Sequence, residues 1–373
     1  MIENIKILPD SLHVKFKNNI DDNFPNIWLR DHAKDDENWD QRSHQRKTFT
    51  AKLDTNLFIK EASVSENGNY VNILWSDSEK IIKYSTEFLQ KNLIKKDFVH
   101  QKYFLWKSKD INDQVYLNYN DVVSDDGFKF FLKNLYEYGF CVITNCKTNM
   151  KTVDVIANKI GYVRQSIFGG LWEFESNENM ADSAYTQEEL RPHTDSTYSK
   201  DAPGLQLLLC CDYDATGGES IMVDGFKIAE TLKKQKEIYE ILSNVEVPGK
   251  YVGDGVILEA RRPIFQHNSK KELFQVSFNN YDRAEFRMEN ELMLKFYEAI
   301  TQFDNLANNI EYQWRHILKP GELLIFNNWR VLHGRGSFQG KRKMAGCYIN
   351  MEDLQSICTD SYTHLTLPTK RIE

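Results

Sequence analysis

The tightest constraint on this fold is a triplet, His193-Thr194-Asp195, that needs a partner far along the chain, His333 in Asn327-Asn328-Trp329-Arg330-Val331-Leu332-His333-Gly334-Arg335. In a β-strand, residues two apart project from one face, so His193 and Asp195 can present an imidazole and a carboxylate to one point. A third ligand is needed, and His333 supplies it if the chain folds back. Two histidines and one carboxylate leave open coordination positions suited to non-haem Fe(II) and its oxidation chemistry. Either half alone also reads as ordinary strand or turn residues, so the surrounding sequence has to decide.

With 373 residues the chain exceeds the usual size of one core, which predicts a large domain accompanied by a smaller one. Hydrophobic residues make up 41% and aromatic residues 13%, enough to exclude a disordered chain. A net charge of −7 argues against a nucleic-acid partner, which normally requires a basic face. No apolar run approaches ~20 residues, so no membrane span is expected. Met1 to Asp10 carries Glu3 and Asp10 and no arginine, unlike a signal or transit peptide, and the expected compartment is the cytoplasm. The six cysteines (Cys141, Cys146, Cys210, Cys211, Cys347 and Cys358) show no CxxC spacing and read as buried thiols.

Up to about Gln101, short apolar runs such as Tyr70-Val71-Asn72-Ile73-Leu74-Trp75 alternate with polar turns, which predicts a small β-rich module without a strong helix. From Asp125 the pattern changes. Phe128, Phe131, Leu132 and Leu135 mark one helical face, Gly139 stops it, and Phe140 to Thr144 continues as a buried strand. A helix is expected near Thr152 to Lys159, and strands at Leu205 to Cys211 and Ser220 to Val223, with Gly217-Gly218 as the hairpin turn between them. Two amphipathic helices follow, one near Phe226 to Leu242 and one bearing Leu292, Phe296, Ile300 and Phe303. Pro320-Gly321 then turns the chain into the apolar run Leu323 to Phe326. The expected class is mainly β with inserted helices, divided as a 1–105 N-terminal domain, a 106–356 catalytic domain and an atypical 357–373 tail.

Iron held by three protein ligands can accept a bidentate 2-oxo acid and O₂ if a cation fixes the acid's remote carboxylate. Arg342, in Gly340-Lys341-Arg342-Lys343, is the candidate, since a guanidinium grips a carboxylate with two parallel bonds. A solvated basic turn is the competing reading of that segment. Several segments then match one family in order: His193 to Tyr198, Gly217-Gly218-Glu219-Ser220 through Val223-Asp224-Gly225-Phe226, Phe278-Asn279-Asn280-Tyr281-Asp282-Arg283, Asn328 to Arg335, and Trp28-Leu29-Arg30-Asp31 near the start. Together they resemble the gamma-butyrobetaine dioxygenase and trimethyllysine dioxygenase family, over roughly Asp113 to Leu354.

The resemblance implies a double-stranded β-helix, or jelly roll, that uses Fe(II), 2-oxoglutarate and O₂, with ascorbate in support. It implies His193, Asp195 and His333 as iron ligands, Arg342 on 2-oxoglutarate and Leu208 beside it. A quaternary ammonium cannot donate hydrogen bonds and is held by aromatic faces. Phe168, Trp172, Tyr185 and Tyr348 fall where the family has its aromatic cage. Asp182 stands where the butyrobetaine enzyme has an asparagine. An aspartate attracts an α-ammonium and repels a bare carboxylate, which favours trimethyllysine, with Asn279 left for the substrate carboxylate. A homodimer is left open. Family members often hold zinc in the N-terminal module. The corresponding positions here read Ala33, Asp35, Asn38 and Glu79 or Lys80, and zinc is not expected. Ser361 to Thr369 resembles a translated sequencing adapter and is given no role.

Overall fold

The structure, a computed structural model, describes residues 1–94, 103–175, 187–253 and 255–365, those after 358 by backbone alone. The chain divides into two compact units, Met1–Gln101 and Lys102–Glu373.

Strict alternation builds the first unit. Leu12, Val14 and Phe16 on the strand Ser11–Phe16, and Val71, Ile73 and Trp75 on Tyr70–Trp75, send every second side chain into one core. Each of these is the central strand of a three-stranded antiparallel sheet. Two six-residue helices, Asn26–Asp31 and Thr86–Lys91, accompany them. Their shortness explains why no helical periodicity stands out in the sequence.

Around the Trp28-Leu29-Arg30-Asp31 signature the unit is held by polar side chains. Arg30 donates from Nη1 to Asn38 Oδ1 (2.9 Å) and from Nε to Asp77 Oδ2 (3.0 Å), and Asn38 Nδ2 donates to Asp35 Oδ1 (2.7 Å). Ala33 is buried in the core. His32 stacks on Trp28 with ring centroids 4.4 Å apart.

The second unit is a jelly roll. A seven-stranded sheet and a four-stranded sheet face each other, and helices cover the outer face of each. The layering follows from period-two patterns in which both faces are apolar. On Phe140–Thr144, Leu205–Gly217 and Leu323–Asn327, the residues Cys141, Ile143, Leu205, Leu207, Leu209, Leu323 and Ile325 point to the helices Asp125–Tyr138 and Met150–Ile160. Phe140, Val142, Cys210, Leu324 and Phe326 point between the sheets. In the small sheet, Ile221, Val223 and Leu332 pack on the helices Gly225–Leu232, Lys236–Asn244 and Asn290–Ala307, whereas Met222 and Val331 face inward.

Several local expectations need correcting. Gly217-Gly218 does not close a hairpin: Leu205–Gly217 belongs to the large sheet and Ser220–Asp224 to the small one, so the chain crosses between sheets there. Both glycines have positive φ (83° and 75°), and a Cβ on Gly217 would lie 2.4 Å from Ser337 O. Only glycine fits that crossing. The helix expected from Phe226 to Leu242 is two helices, broken at Lys233–Gln235 so that Leu232 and Ile238 both reach the same core. Leu292 lies outside the buried stripe of Phe296, Ile300 and Phe303. The cysteines are free, and Cys211 is half-buried where a buried thiol was expected. Among the described residues no helix is long and apolar enough to cross a membrane.

Candidate active site

Register brings the two histidines together. Leu190–His193 and Val331–Arg335 are antiparallel neighbours in the small sheet, and His193 lies directly opposite His333, with ring centroids 4.3 Å apart. Asp195 does not lie on that strand. The strand ends at His193, and the carboxylate arrives through a bend followed by Ser196 at φ 58°. Its position is fixed by Asn328, whose Oδ1 accepts the Asp195 N–H (2.8 Å) and whose Nδ2 donates to the carbonyls of Asp195 (3.2 Å) and Pro203 (3.0 Å).

His193 Nε2 and His333 Nε2 each lie 3.4 Å from Asp195 Oδ1. One ligand atom from each of the three residues falls within 4.8 Å of the others. His193 Nδ1 hydrogen-bonds to the Arg191 carbonyl at 2.8 Å, which places its proton there and turns the Nε2 lone pair to the centre. The second carboxylate oxygen, Oδ2, accepts from the Tyr348 hydroxyl at 2.7 Å, so Oδ1 is the oxygen presented inward. Burial opposes ionisation of Asp195. The neighbouring His333 and His193 imidazoles overcome it and hold the carboxyl well below its ordinary range. Burial pushes His333 down. His193 is raised despite burial, by Asp195 and, further off, by Asp282. A compact, buried set of two imidazole nitrogens and one carboxylate oxygen fits a borderline divalent cation with open positions on the cavity side.

The centre opens into a cavity of about 770 Å³ between the sheets. Arg342 lines it, buried, with its Nε lacking a hydrogen-bond partner and its guanidinium 5.3 Å from the Phe338 ring centroid. A buried guanidinium with an unused donor fits an anion that arrives with the ligand. Leu208 reaches the same cavity from the inward face of its strand. Phe168, Trp172, Asn279 and Tyr348 also line it. Trp172 lies over Gly346, where a Cβ would be 2.3 Å from the indole, and its ring centroid is 6.0 Å from that of Tyr348. Asn279 is already engaged, because its Nδ2 donates to Asp282 Oδ2 at 2.9 Å. Asp182 and Tyr185 lie outside the described residues.

Three cavity residues are given no role from the sequence, although two of them, Arg335 and Asp282, stand inside the family's motifs. Arg335, two residues beyond His333 and on the same strand face, enters the cavity, and burial with Arg342 beside it pushes its guanidinium down to about 10. The period-two rule applied to His333 would have found it. Asp282 and Tyr251 also line the cavity. They come from separate loop and strand segments, and no spacing rule links them to the metal triplet.

Comparison with known proteins gives the family. Residues 107–348 match the taurine catabolism dioxygenase TauD, TfdA family, and residues 6–90 match the gamma-butyrobetaine hydroxylase-like N-terminal domain. The mitochondrial trimethyllysine dioxygenase of Bos taurus is 32% identical over 92% of this chain and 84% of its own length. The gamma-butyrobetaine dioxygenase of Pongo abelii is 26% identical over 89% of each. Among solved structures, AAD-2 in complex with Mn(II) and N-oxalylglycine aligns with a TM-score of 0.50 at 13% identity, over 63% of this chain and 92% of that one, a likeness of fold.

Proposed function

The chain belongs to the gamma-butyrobetaine and trimethyllysine dioxygenase family and is a 2-oxoglutarate-dependent non-haem iron dioxygenase, and from that premise we propose that it hydroxylates N6,N6,N6-trimethyllysine at the carbon next to the α-carbon. His193, Asp195 and His333 would hold Fe(II). Arg342 would grip the remote carboxylate of 2-oxoglutarate, with Leu208 against its carbon chain. When bound, iron and 2-oxoglutarate together activate O₂, with 2-oxoglutarate leaving as succinate and CO₂ as one oxygen atom is inserted into the substrate C–H bond.

The protein's part is to aim that bond and to keep water away from it. Phe168, Trp172 and Tyr348, with Tyr185, would hold the trimethylammonium, each aromatic face contributing ~0.5–2 kcal/mol. Asp182 would favour a substrate with an α-ammonium. The observation that carries the proposal is the single cavity into which the His–Asp–His centre, the buried Arg342 and the Trp172–Tyr348 wall all open. The product expected is 3-hydroxy-trimethyllysine, an early intermediate on the way to carnitine.

The test is purified protein with Fe(II), 2-oxoglutarate and ascorbate, offered trimethyllysine or gamma-butyrobetaine, with succinate and product mass as readouts. Succinate formation coupled to a product one oxygen atom heavier than trimethyllysine is the expected result. Preference for gamma-butyrobetaine, or turnover of neither, would overturn it.

A further inference from the structure

Asp282 is an acidic side chain on the cavity wall that the mechanism above leaves without a task. It is half-buried and borders the cavity together with His193, Asp195, Tyr251 and Asn279. Its backbone is fixed: its carbonyl accepts the Lys250 N–H at 2.8 Å, and Ala284 N–H donates to Pro248 at 2.9 Å, stitching the 279–284 loop to the strand Val247–Gly253. Its side chain is fixed too. Oδ2 accepts from Asn279 Nδ2 (2.9 Å) and from Thr197 Oγ1 (3.4 Å), and Thr197 lies two residues beyond Asp195. The preceding residue, Tyr281, meets the His193 ring edge-on at 5.8 Å. Asp282 therefore lines the same cavity as the His–Asp–His centre, with Asn279 and Thr197 among its hydrogen-bond donors.

We infer that Asp282 binds the α-ammonium group of an amino-acid substrate, and that Asn279 beside it uses its second amide N–H for the α-carboxylate. The inference rests on the proposed substrate. The carbon to be hydroxylated is bonded directly to the α-carbon, so the α-ammonium must sit close to the metal, and its partner must line the same cavity, as Asp282 does. Each end of the substrate carries a cationic nitrogen, but the two differ in chemistry. An α-ammonium has N–H donors and seeks a carboxylate; a trimethylammonium has none and seeks aromatic faces. With Asp282 on the loop at the metal and Trp172 packed on the large sheet, the cavity can tell the ends apart and fix which carbon faces the iron.

The test is calorimetric binding to protein loaded with Mn(II) and N-oxalylglycine, so that no turnover intervenes. The ligands are trimethyllysine and its analogue lacking the α-amino group, 6-(trimethylammonio)hexanoate. Asp282→Asn is expected to weaken trimethyllysine about ten- to hundredfold and the analogue by less than about threefold, as for loss of a charge-assisted hydrogen bond. Asp282→Glu, which keeps the charge, should retain most of the preference. Equal weakening of both ligands by Asp282→Asn would make Asp282 a loop tie and overturn the inference. Should that variant not fold, wild-type protein decides, since equal affinity for the two ligands leaves no role for an α-ammonium site. Wild-type protein that neither binds nor hydroxylates trimethyllysine would instead defeat the substrate proposal, a result distinguishable from the others.

Discussion

Asn328 governs Asp195 without facing the metal. Its amide accepts from the Asp195 N–H and donates to the Asp195 and Pro203 carbonyls, which a carboxylate of the same shape cannot do, because it has no donor. Asn328→Asp is therefore expected to raise the Fe(II) concentration for half-maximal activity by about 10–100-fold, the usual cost of losing an outer-shell support. Titrating iron against succinate formation checks this, and an unchanged iron requirement would remove Asn328 from the site. Arg342 is the residue proposed for the other ligand, 2-oxoglutarate. Arg342→Lys keeps the charge but not the planar fork, so the KM for 2-oxoglutarate should rise by about ten- to hundredfold, as for loss of a charged hydrogen bond, with a smaller change for the substrate. An unchanged KM would move the cosubstrate contact elsewhere, with Arg335 as the next residue to test.

The strand Val331–Arg335 owes its usefulness to alternation: Leu332 enters the helix-side core, and His333 and Arg335 face the cavity. What anchors its start is a buried ion pair. Arg330, fully buried, donates from Nε to Asp224 Oδ1 (3.1 Å) and from Nη2 to Asp224 Oδ2 (2.8 Å), and its remaining donors reach the carbonyls of Phe104, Tyr136 and Glu137. One side chain thus ties the end of Ser220–Asp224, the end of helix Asp125–Tyr138 and the segment before it to the His333 strand. Arg330→Met would leave Asp224 buried without its partner, and the expected loss of stability is about 3–5 kcal/mol. Denaturant unfolding measures it; a loss below about 1 kcal/mol, the range of a surface pair, would show that the pair is not what holds this junction.

For the whole molecule, the proposed metal and cosubstrate site exists only when Leu190–His193 and Val331–Arg335 are paired, so ligands should stabilise the folded catalytic unit by mass action. At a free concentration about 100 times Kd, Mn(II) with N-oxalylglycine is expected to add about 2.7 kcal/mol and raise the unfolding temperature. His333→Ala should abolish that rise. A rise that survives in the variant would mean that the ligands bind elsewhere. Much of this was legible in the chain itself. The ligand types, the arginine proposed for the cosubstrate and the aromatic side chains are local chemistry written in residue identity. The two-sided strands are written in unbroken apolar runs, and the family in the order of its motifs. Other features depended on register and on loops meeting from distant segments. Only pairing set His193 opposite His333. Only the bend after His193 brought Asp195 to them, where the sequence alone suggested a continuous strand. Only the sheet crossing showed that Gly217-Gly218 links layers, since a double glycine permits positive φ without saying which strands it joins. Asp282 and Arg335 became part of the site for the same reason: a sequence specifies which groups are available, and packing specifies which of them share a cavity.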